Sequence, residues 1–416
     1  MLLYIPYRFR ILSILCLLTT LTYLDRICIS IVGVRIKSEF SLNNEQFGWI
    51  LAAFSLAYAL FEIPSGWLGD RFGPKKVFIR IVWLWSVFTA FTGLASGLLS
   101  LIVIRFLFGV GESGTYPNAI IAVSRWFPVS ETGRALTWVG IGSQIGSAIA
   151  PLLITPIAIH FGWRMSFYTL AFIGLVWIGI CYLWFKDFPD QFKNIHSEEK
   201  EFIQTNSRYR TSHSIQSLTA ILKHRNVWMI MGMYFCYQWA QYFFVAWMPI
   251  YLQQGRGFTE TQSKPIITFL FLAGILGFFL GGFFSEWIVK VRGIKVGRRI
   301  TAFCSMFLCA IFTLIAAFIK NDSLSSYSLM LSNFAFAFGV MTSYAVCADI
   351  GKNNTGTVTG AMNFAGQMGA FFLALLFGKI ADLTHSFQIP LFVVACILLL
   401  GSSFWFVIDP EKSTED

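Results

Sequence analysis

The chain has 416 residues, of which 56% are hydrophobic, 17% aromatic and only 12% charged, and its mean hydropathy is +0.66. A soluble domain carries roughly a quarter of its residues as Asp, Glu, Lys and Arg, so this composition excludes a water-soluble particle and specifies a polytopic membrane protein. The net charge of +10 would suit a nucleic-acid partner only if the basic residues shared a face, and their distribution assigns them to membrane topology instead.

Twelve apolar segments near the ~20 residues needed to cross a bilayer are predicted at 11–33, 47–67, 77–98, 101–124, 135–159, 165–185, 227–252, 265–290, 300–320, 326–348, 356–383 and 388–408. With the N-terminus on the cytoplasmic side, 22 Lys and Arg fall on the inner side, 6 on the outer side and 3 within spans. Basic loops stay inside. The expected placement is therefore the cell inner (plasma) membrane, multi-pass, with both termini cytoplasmic and no nucleic-acid partner. The opening IPYRFR has no small-residue cleavage site after its apolar run and reads as part of a retained first helix. The eight cysteines all fall within spans, with no CxxC pair and no Cys/His cluster. Neither a disulfide framework nor a metal site is expected.

The first span contains LTYLDRICIS (21–30), which places Asp25 and Arg26 deep in an apolar run. Each such charge costs about 2.5–3.5 kcal/mol at a helix centre. Span 4 carries two more, Arg105 and Glu112, seven residues apart and so about 10 Å apart on one helix face. Glu62, Lys379 and Asp382 lie nearer predicted span ends, where snorkelling accounts for them. If spans 1 and 4 face a common cavity, two acids and two guanidiniums neutralise one another. Protonation of Asp25 and Glu112 then frees Arg26 or Arg105 for a substrate carboxylate, so that proton and anion favour the same state. Arginine suits this role because it stays charged and grips carboxylates bidentately. The alternative is a static ion pair that fixes packing. The histidines fall in loops or at span ends, which leaves carboxylates to carry the proton.

Later spans read differently. Span 7 places Tyr234, Gln238 and Gln241 on one stripe with Tyr237 beside them, and span 11 places Thr355, Thr359, Asn363 and Gln367 at fourfold spacing. Amides and phenols suit a polyhydroxylated body; interhelical hydrogen bonding is the competing reading. Glycines at 142 and 146, 277 and 281, and 356 and 360 have the spacing of close helix crossings.

The longest polar interruption, 186–226, separates an N-terminal six-helix bundle (1–185) from a C-terminal one (227–416), and its EEKEFIQ portion suits a surface helix. A weak repeat supports the division: Gly66 and Asp70 before basic residues after span 2, Gly282 and Glu286 before basic residues after span 8. GWLGDRFGPKK (66–76) resembles the signature loop of the major facilitator superfamily. RFLFGVGESGTYPNAIIAVSRWFPVSETGRAL (105–136) resembles helices 4 and 5 of its anion:cation symporter branch, which includes bacterial galactonate, hexuronate and glucarate carriers and, more distantly, sialin.

The resemblance implies an all-α integral membrane fold, twelve transmembrane helices in two pseudo-symmetric six-helix bundles, acting as a monomer by alternating access. It implies that Arg26 and Arg105 contact the anion and that Asp25 and Glu112 couple protons. Tyr23, Tyr58, Gln144 and Asn363 match positions lining the family's cavity, and Tyr344 stands where relatives commonly have Trp. Tyr237, Gln238, Gln241 and Gln367 complete the expected lining. Gly66, Asp70, Arg71, Gly73, Lys75 and Glu286 form the expected gating loops, with Asp70 accepting hydrogen bonds at a neighbouring helix N-terminus. Span 7 lacks the Arg or His of a vesicular glutamate carrier, span 5 lacks the Gly-Pro pair of drug antiporters, and Glu62 replaces a residue usually uncharged.

The expected function is a proton-coupled secondary transporter that imports a sugar acid or related hydroxy-carboxylate. No GxxxxGK[ST] is present, so an ion gradient supplies the energy, with no cofactor; sodium in place of the proton stays open. On the same fold the alternatives are an exporter of an anionic metabolite, siderophore or drug and a non-transporting sensor. A membrane-embedded enzyme would need a clustered nucleophile or metal set that the sequence does not offer.

Overall fold

The structure, a computed structural model, describes residues 6–192, 195–206 and 221–414. Its spanning helices begin and end where local chemistry dictates. Asn43 and Gln46 form a reciprocal capping box at the start of α3 (Asn44–Phe72), and Thr259 and Gln262 do the same for α11 (Glu260–Arg292), each satisfying backbone donors that a helix start leaves unpaired. Two tight reversals need glycine: Gly73 (φ +86°) between α3 and α4 (Pro74–Thr92), and Gly293 (φ +83°) between α11 and α12 (Ile294–Phe318). These equivalent turns mark the internal repeat more closely than the acids of the two loops do.

The remaining elements are α1 (Tyr7–Ile31), α2 (Gly33–Glu39), α5 (Leu98–Glu112), α6 (Thr115–Trp126), α7 (Val129–Phe161), α8 (Trp163–Trp184), α9 (Ser197–Asn206), α10 (Arg225–Tyr242), α13 (Asp322–Gly351), α14 (Thr355–Thr384) and α15 (Gln388–Ser403). Packing repeats across the two halves. α1 lies against α7 as α10 lies against α14, α3 against α5 as α11 against α13, and α4 against α8 as α12 against α15. The halves meet along α3–α14 and α7–α11. Ten of the helical segments are long and apolar enough to cross a membrane by length and composition; α4 and α10 occupy the repeat positions of the other two.

Close approach at the repeated contacts requires glycine. A methyl on Gly146 would collide with the backbone carbonyl of Thr20 on α1, and one on Gly369 with the carbonyl of Phe235 on α10. The predicted pair at 277 and 281 packs against the α13 backbone, but Gly356 and Gly360 meet nothing within 4 Å. The third predicted crossing is therefore absent: spacing alone does not say which face of α14 meets a neighbour.

Two spans depart from regular helix. The fourth is broken at Ser113–Gly114 into α5 and α6, directly after Glu112. The seventh continues beyond α10 through π-helical turns at Phe243–Trp247 and Tyr251–Gly255, a local widening that often marks functional sites. The EEKEFIQ segment lies in α9, and Glu199 accepts the backbone N–H groups of Tyr7 (3.1 Å) and Arg8 (3.0 Å) at the start of α1. Residues 193–194 and 207–220 of the predicted linker lie outside the described residues.

The two faces of the molecule differ. At the face opposite the termini (the distal face), polar contacts join the halves: Arg35 grips Glu260 through two bonds of 2.7 and 2.9 Å, and Lys37 donates to Gln254 at 2.7 Å. Asn44 and the backbone of Glu45 donate to Asp382 at 2.6 and 2.8 Å. At the terminal face the ion pairs Lys295–Asp409 and Arg298–Asp349 stay within one half. The loop after α3 also stays within its half, and one expectation for it is corrected. The acid at the α4 N-terminus is Asp187, which accepts Lys75 N–H at 2.8 Å; Asp70 is exposed and faces the charge of Arg125 instead. Asp187 reaches the helix start from the end of another span, whereas Asp70 sits in the last turn of α3, near the Arg125 charge.

Candidate functional site

A central cavity with about 140 Å³ of space for water lies between the halves. Its first-half wall carries Tyr23 and Arg26 from α1, Tyr58 and Glu62 from α3, Tyr116 from α6 and Gln144 from α7. Its second-half wall carries Tyr234, Gln238 and Gln241 from α10, Tyr344 from α13, and Asn363 and Gln367 from α14. Ile120 and Leu136 extend the lining toward the terminal face. At the other end, Gln241 donates to Tyr23 at 2.7 Å and Tyr242 to the carbonyl of Leu51 at 3.1 Å, beneath the distal contacts. The cavity thus opens toward the terminal face and is closed distally.

The charged centre is built around Arg26. Its guanidinium pairs with Glu112, which is fully buried, and lies against the rings of Tyr58 (4.7 Å), Tyr23 (5.0 Å) and Phe54 (5.0 Å). Aromatic faces attract cations electrostatically, so this cage holds the guanidinium at the cavity wall. Arg105 lies against Phe108 (4.3 Å) and Phe54 (5.3 Å), and its charge couples to those of Asp25 and Glu112 without a direct ion pair. Oδ1 of Asp25, Nη2 of Arg26, Nε of Arg105 and Oε2 of Glu112 are all buried without a hydrogen-bond partner. Such atoms are scarce in folded proteins and costly. Here they cluster, and each can take a proton or an incoming acceptor.

The sequence expectation placed all four charges in one vestibule, and the structure divides them. Of the four, Arg26 alone lines the cavity; Glu112 sits behind it, and Asp25 and Arg105 lie off the lining. Adjacent residues on a helix point about 100° apart, so Asp25 and Arg26 cannot share a direction. Tyr237 is corrected for the same reason. It is buried beside the cavity, donating to the Phe336 carbonyl and stacking on that ring at 4.5 Å, whereas Gln238 faces inward. Tyr23, Tyr58, Gln144, Gln238, Gln241, Tyr344, Asn363 and Gln367 all reach the lining. Among the loop residues, Gly66 packs close to Pro117, Arg71 lies over Trp67, and Glu286 is exposed.

Glu62 and Asp382 were expected to snorkel, and neither does. Glu62 is 7% exposed and lines the cavity, accepting from Asn363 at 3.4 Å, while Asp382 bridges to the first half. A relay follows on the second-half wall, Tyr234 donating to Tyr344 and Tyr344 to Asn363, each at 3.3 Å. Tyr116 also lines the cavity unanticipated; its signal in the sequence is the GESGTYP stretch, where the helix breaks.

Comparison with known proteins agrees with this architecture. The profile described as Major Facilitator Superfamily matches residues 15–374. The probable sulfoacetate transporter of Cupriavidus necator is 31% identical over 411 residues, covering 98% of this chain and 95% of that protein. The hexuronate transporter of Bacillus subtilis is 28% identical, covering 88% and 86%, and the D-galactonate transporter of an Escherichia coli O6:H1 strain is 28% identical, covering 97% and 96%. A solved bacterial homologue of the human lysosomal transporter Spinster, inward-facing and occupied, superposes with a TM-score of 0.75 at 18% identity over 97% of both chains.

Proposed function

The chain belongs to the Major Facilitator Superfamily, and within it we propose a proton-coupled symporter that imports an organic anion across the inner membrane. It is a transporter and not an enzyme. The substrate class in this reading is a small carboxylate or sulfonate with hydroxyl groups, in keeping with relatives named for sulfoacetate, hexuronate and galactonate.

The observation that carries the reading is the buried Arg26–Glu112 ion pair with Arg26 at the cavity wall. With Glu112 ionised, the guanidinium is occupied. A proton on Glu112 releases it, and Arg26 then presents its donors to a substrate anion. Departure of the anion leaves Arg26 buried without a counter-charge, a state that costs several kcal/mol by the order of buried charges, so Glu112 re-ionises. Arg105 and Asp25 form a second set behind Phe54 that shifts its charge in step. The tyrosines and amides of α10, α13 and α14 meet the hydroxyl-bearing remainder. The bundles 1–185 and 227–416 rock about the linker 186–226 in this scheme. With termini cytoplasmic, the described state opens inward, its outer side closed by the Arg35, Lys37 and Asp382 contacts.

Purified protein in liposomes with an imposed pH gradient tests this. Wild type should accumulate one or more of sulfoacetate, galactonate, hexuronates and glucarate, and Arg26→Ala should bind none of them. Glu112→Gln should lose gradient-driven accumulation yet retain substrate exchange. Normal accumulation by Glu112→Gln would remove the coupling assignment.

A further inference from the structure

Glu62 is the one cavity-lining carboxylate among the described residues, and the scheme above gives it no task. It sits on α3 one turn beyond Tyr58, whose ring holds the Arg26 guanidinium 4.7 Å from its centroid. Its described polar partner is a neutral amide, Asn363, at 3.4 Å. Among the described residues no cation lies within ion-pair distance of it, unlike Glu112, which has Arg26, and Glu260, which has Arg35; the Arg26 charge reaches it only across the cavity wall. Between Arg26 and Glu62 the wall is Tyr58 and Tyr116, and Phe278, Phe336 and Val340 contribute apolar surface to the same cavity.

A carboxylate in such a cavity is tolerable while the mouth is open and water reaches it. Alternating access closes that mouth. The carboxylate then loses its water and needs a positive partner or a proton, because an unpaired buried charge is strongly disfavoured. A hydroxyl donates a hydrogen bond but leaves the charge in place. An ammonium neutralises it. Glu62 and Tyr58 are four residues apart on one face of α3, so the carboxylate and the guanidinium caged by Tyr58 stand on the first-half wall of the same cavity. The cavity therefore has two poles, guanidinium at Arg26 and carboxylate at Glu62, with a neutral hydrogen-bonding wall from Tyr344 and Asn363 beside the second.

We propose that the substrate is a zwitterion, an amino-carboxylate or aminosulfonate whose anionic group meets Arg26 and whose ammonium meets Glu62. This rests on the organic-anion reading above: it keeps the anionic group at Arg26 and places an ammonium where that reading has a hydroxyl. In this arrangement Asn363, held by Tyr344 and Tyr234, orients the Glu62 carboxylate toward the ammonium as a positioning residue.

Matched pairs that differ only in hydroxyl against amine test it: isethionate against taurine, and gluconate against 2-amino-2-deoxygluconate, measured by calorimetric titration of the full-length protein in detergent. Wild type should bind the amino member of a pair roughly tenfold or more tightly, the scale of one charge-assisted contact. E62Q should reverse that order, weakening the amino member and strengthening the hydroxy member, while E62D should keep the wild-type order. Equal binding within each pair, or a preference that survives in E62Q, overturns the proposal. A wild-type protein that binds galactonate, glucarate or sulfoacetate but neither amino compound overturns it while leaving the anion reading intact. Failure to bind any of these compounds removes both.

Discussion

The two walls of the cavity solve opposite problems. The first half buries ions: Arg26, Glu112, Arg105 and Asp25 are each at most 9% exposed and depend on one another for their charges to be tolerated. The second half meets the same space with phenols and amides, joined by hydrogen bonds of 3.3 Å from Tyr234 to Tyr344 to Asn363. One fold, repeated, thus supplies a wall that carries charge and a wall that carries none. The difference teaches that internal symmetry fixes where helices pack, while function follows from breaking it in side-chain chemistry.

The comparison is broken most severely at Glu112. Glu112→Ala leaves the Arg26 guanidinium buried without a partner and should cost about 3–5 kcal/mol, read as a large fall in unfolding temperature in detergent. Asn363→Ala on the opposite wall, which removes the bond it accepts from Tyr344, should cost about 1 kcal/mol. Equal losses would mean that the ion pair contributes no more than an amide. Next come the equivalent glycine contacts: Gly146→Val against the Thr20 carbonyl and Gly369→Val against the Phe235 carbonyl should each destabilise by about 1–3 kcal/mol. A marked difference between them would show that the repeat is not mechanically equal in the two halves. Smaller still is the distal Arg35–Glu260 pair, partly exposed on both sides. Arg35→Ala should cost about 0–1 kcal/mol of stability and yet lengthen spin-label distances between Ser38 and Thr261, both exposed, across that face.

A separate effect on the same face is one of pH. Burial, opposed by the nearby Asp382 charge, pulls the Lys37 ammonium down from 10.5 to about 8. The closed distal face therefore holds this proton less tightly than an opened face would. The cost of charging Lys37 is present in full below about 8 and disappears as the pH rises toward 10.5, so closure strengthens over that window. The same spin-label distances should shorten across it in wild type and lose that dependence in Lys37→Met.

Much of this was legible in advance, and what was missed has physical causes. Hydropathy located the spans, and the cost of charge in an apolar run singled out Asp25, Arg26, Arg105 and Glu112. Glu62 was misread because α3 runs to Phe72, which leaves it ten residues, about 15 Å, from the helix end that snorkelling would require. Asp382 was misread because its partners Asn44 and Glu45 come from the other half, more than 330 positions away. Asp187 caps α4 from a different span, a relation no local motif encodes. The break after Glu112 was hidden because glycines at that spacing serve helix packing as readily as interruption. Which of two neighbours faces the cavity, as with Gln238 and Tyr237, depends on helix rotation, and that is set by packing.

The grip of Glu199 on the first backbone amides of α1 has a mechanical consequence. It ties the start of the first helix to a segment that lies beyond the sixth, so the chain from Tyr7 to α9 closes on itself like a belt through its buckle. α9 is then carried by the first half during the proposed rocking motion. A fluorophore on α9 would accordingly report the orientation of that half alone, giving a fixed reference against which movement of the other can be measured.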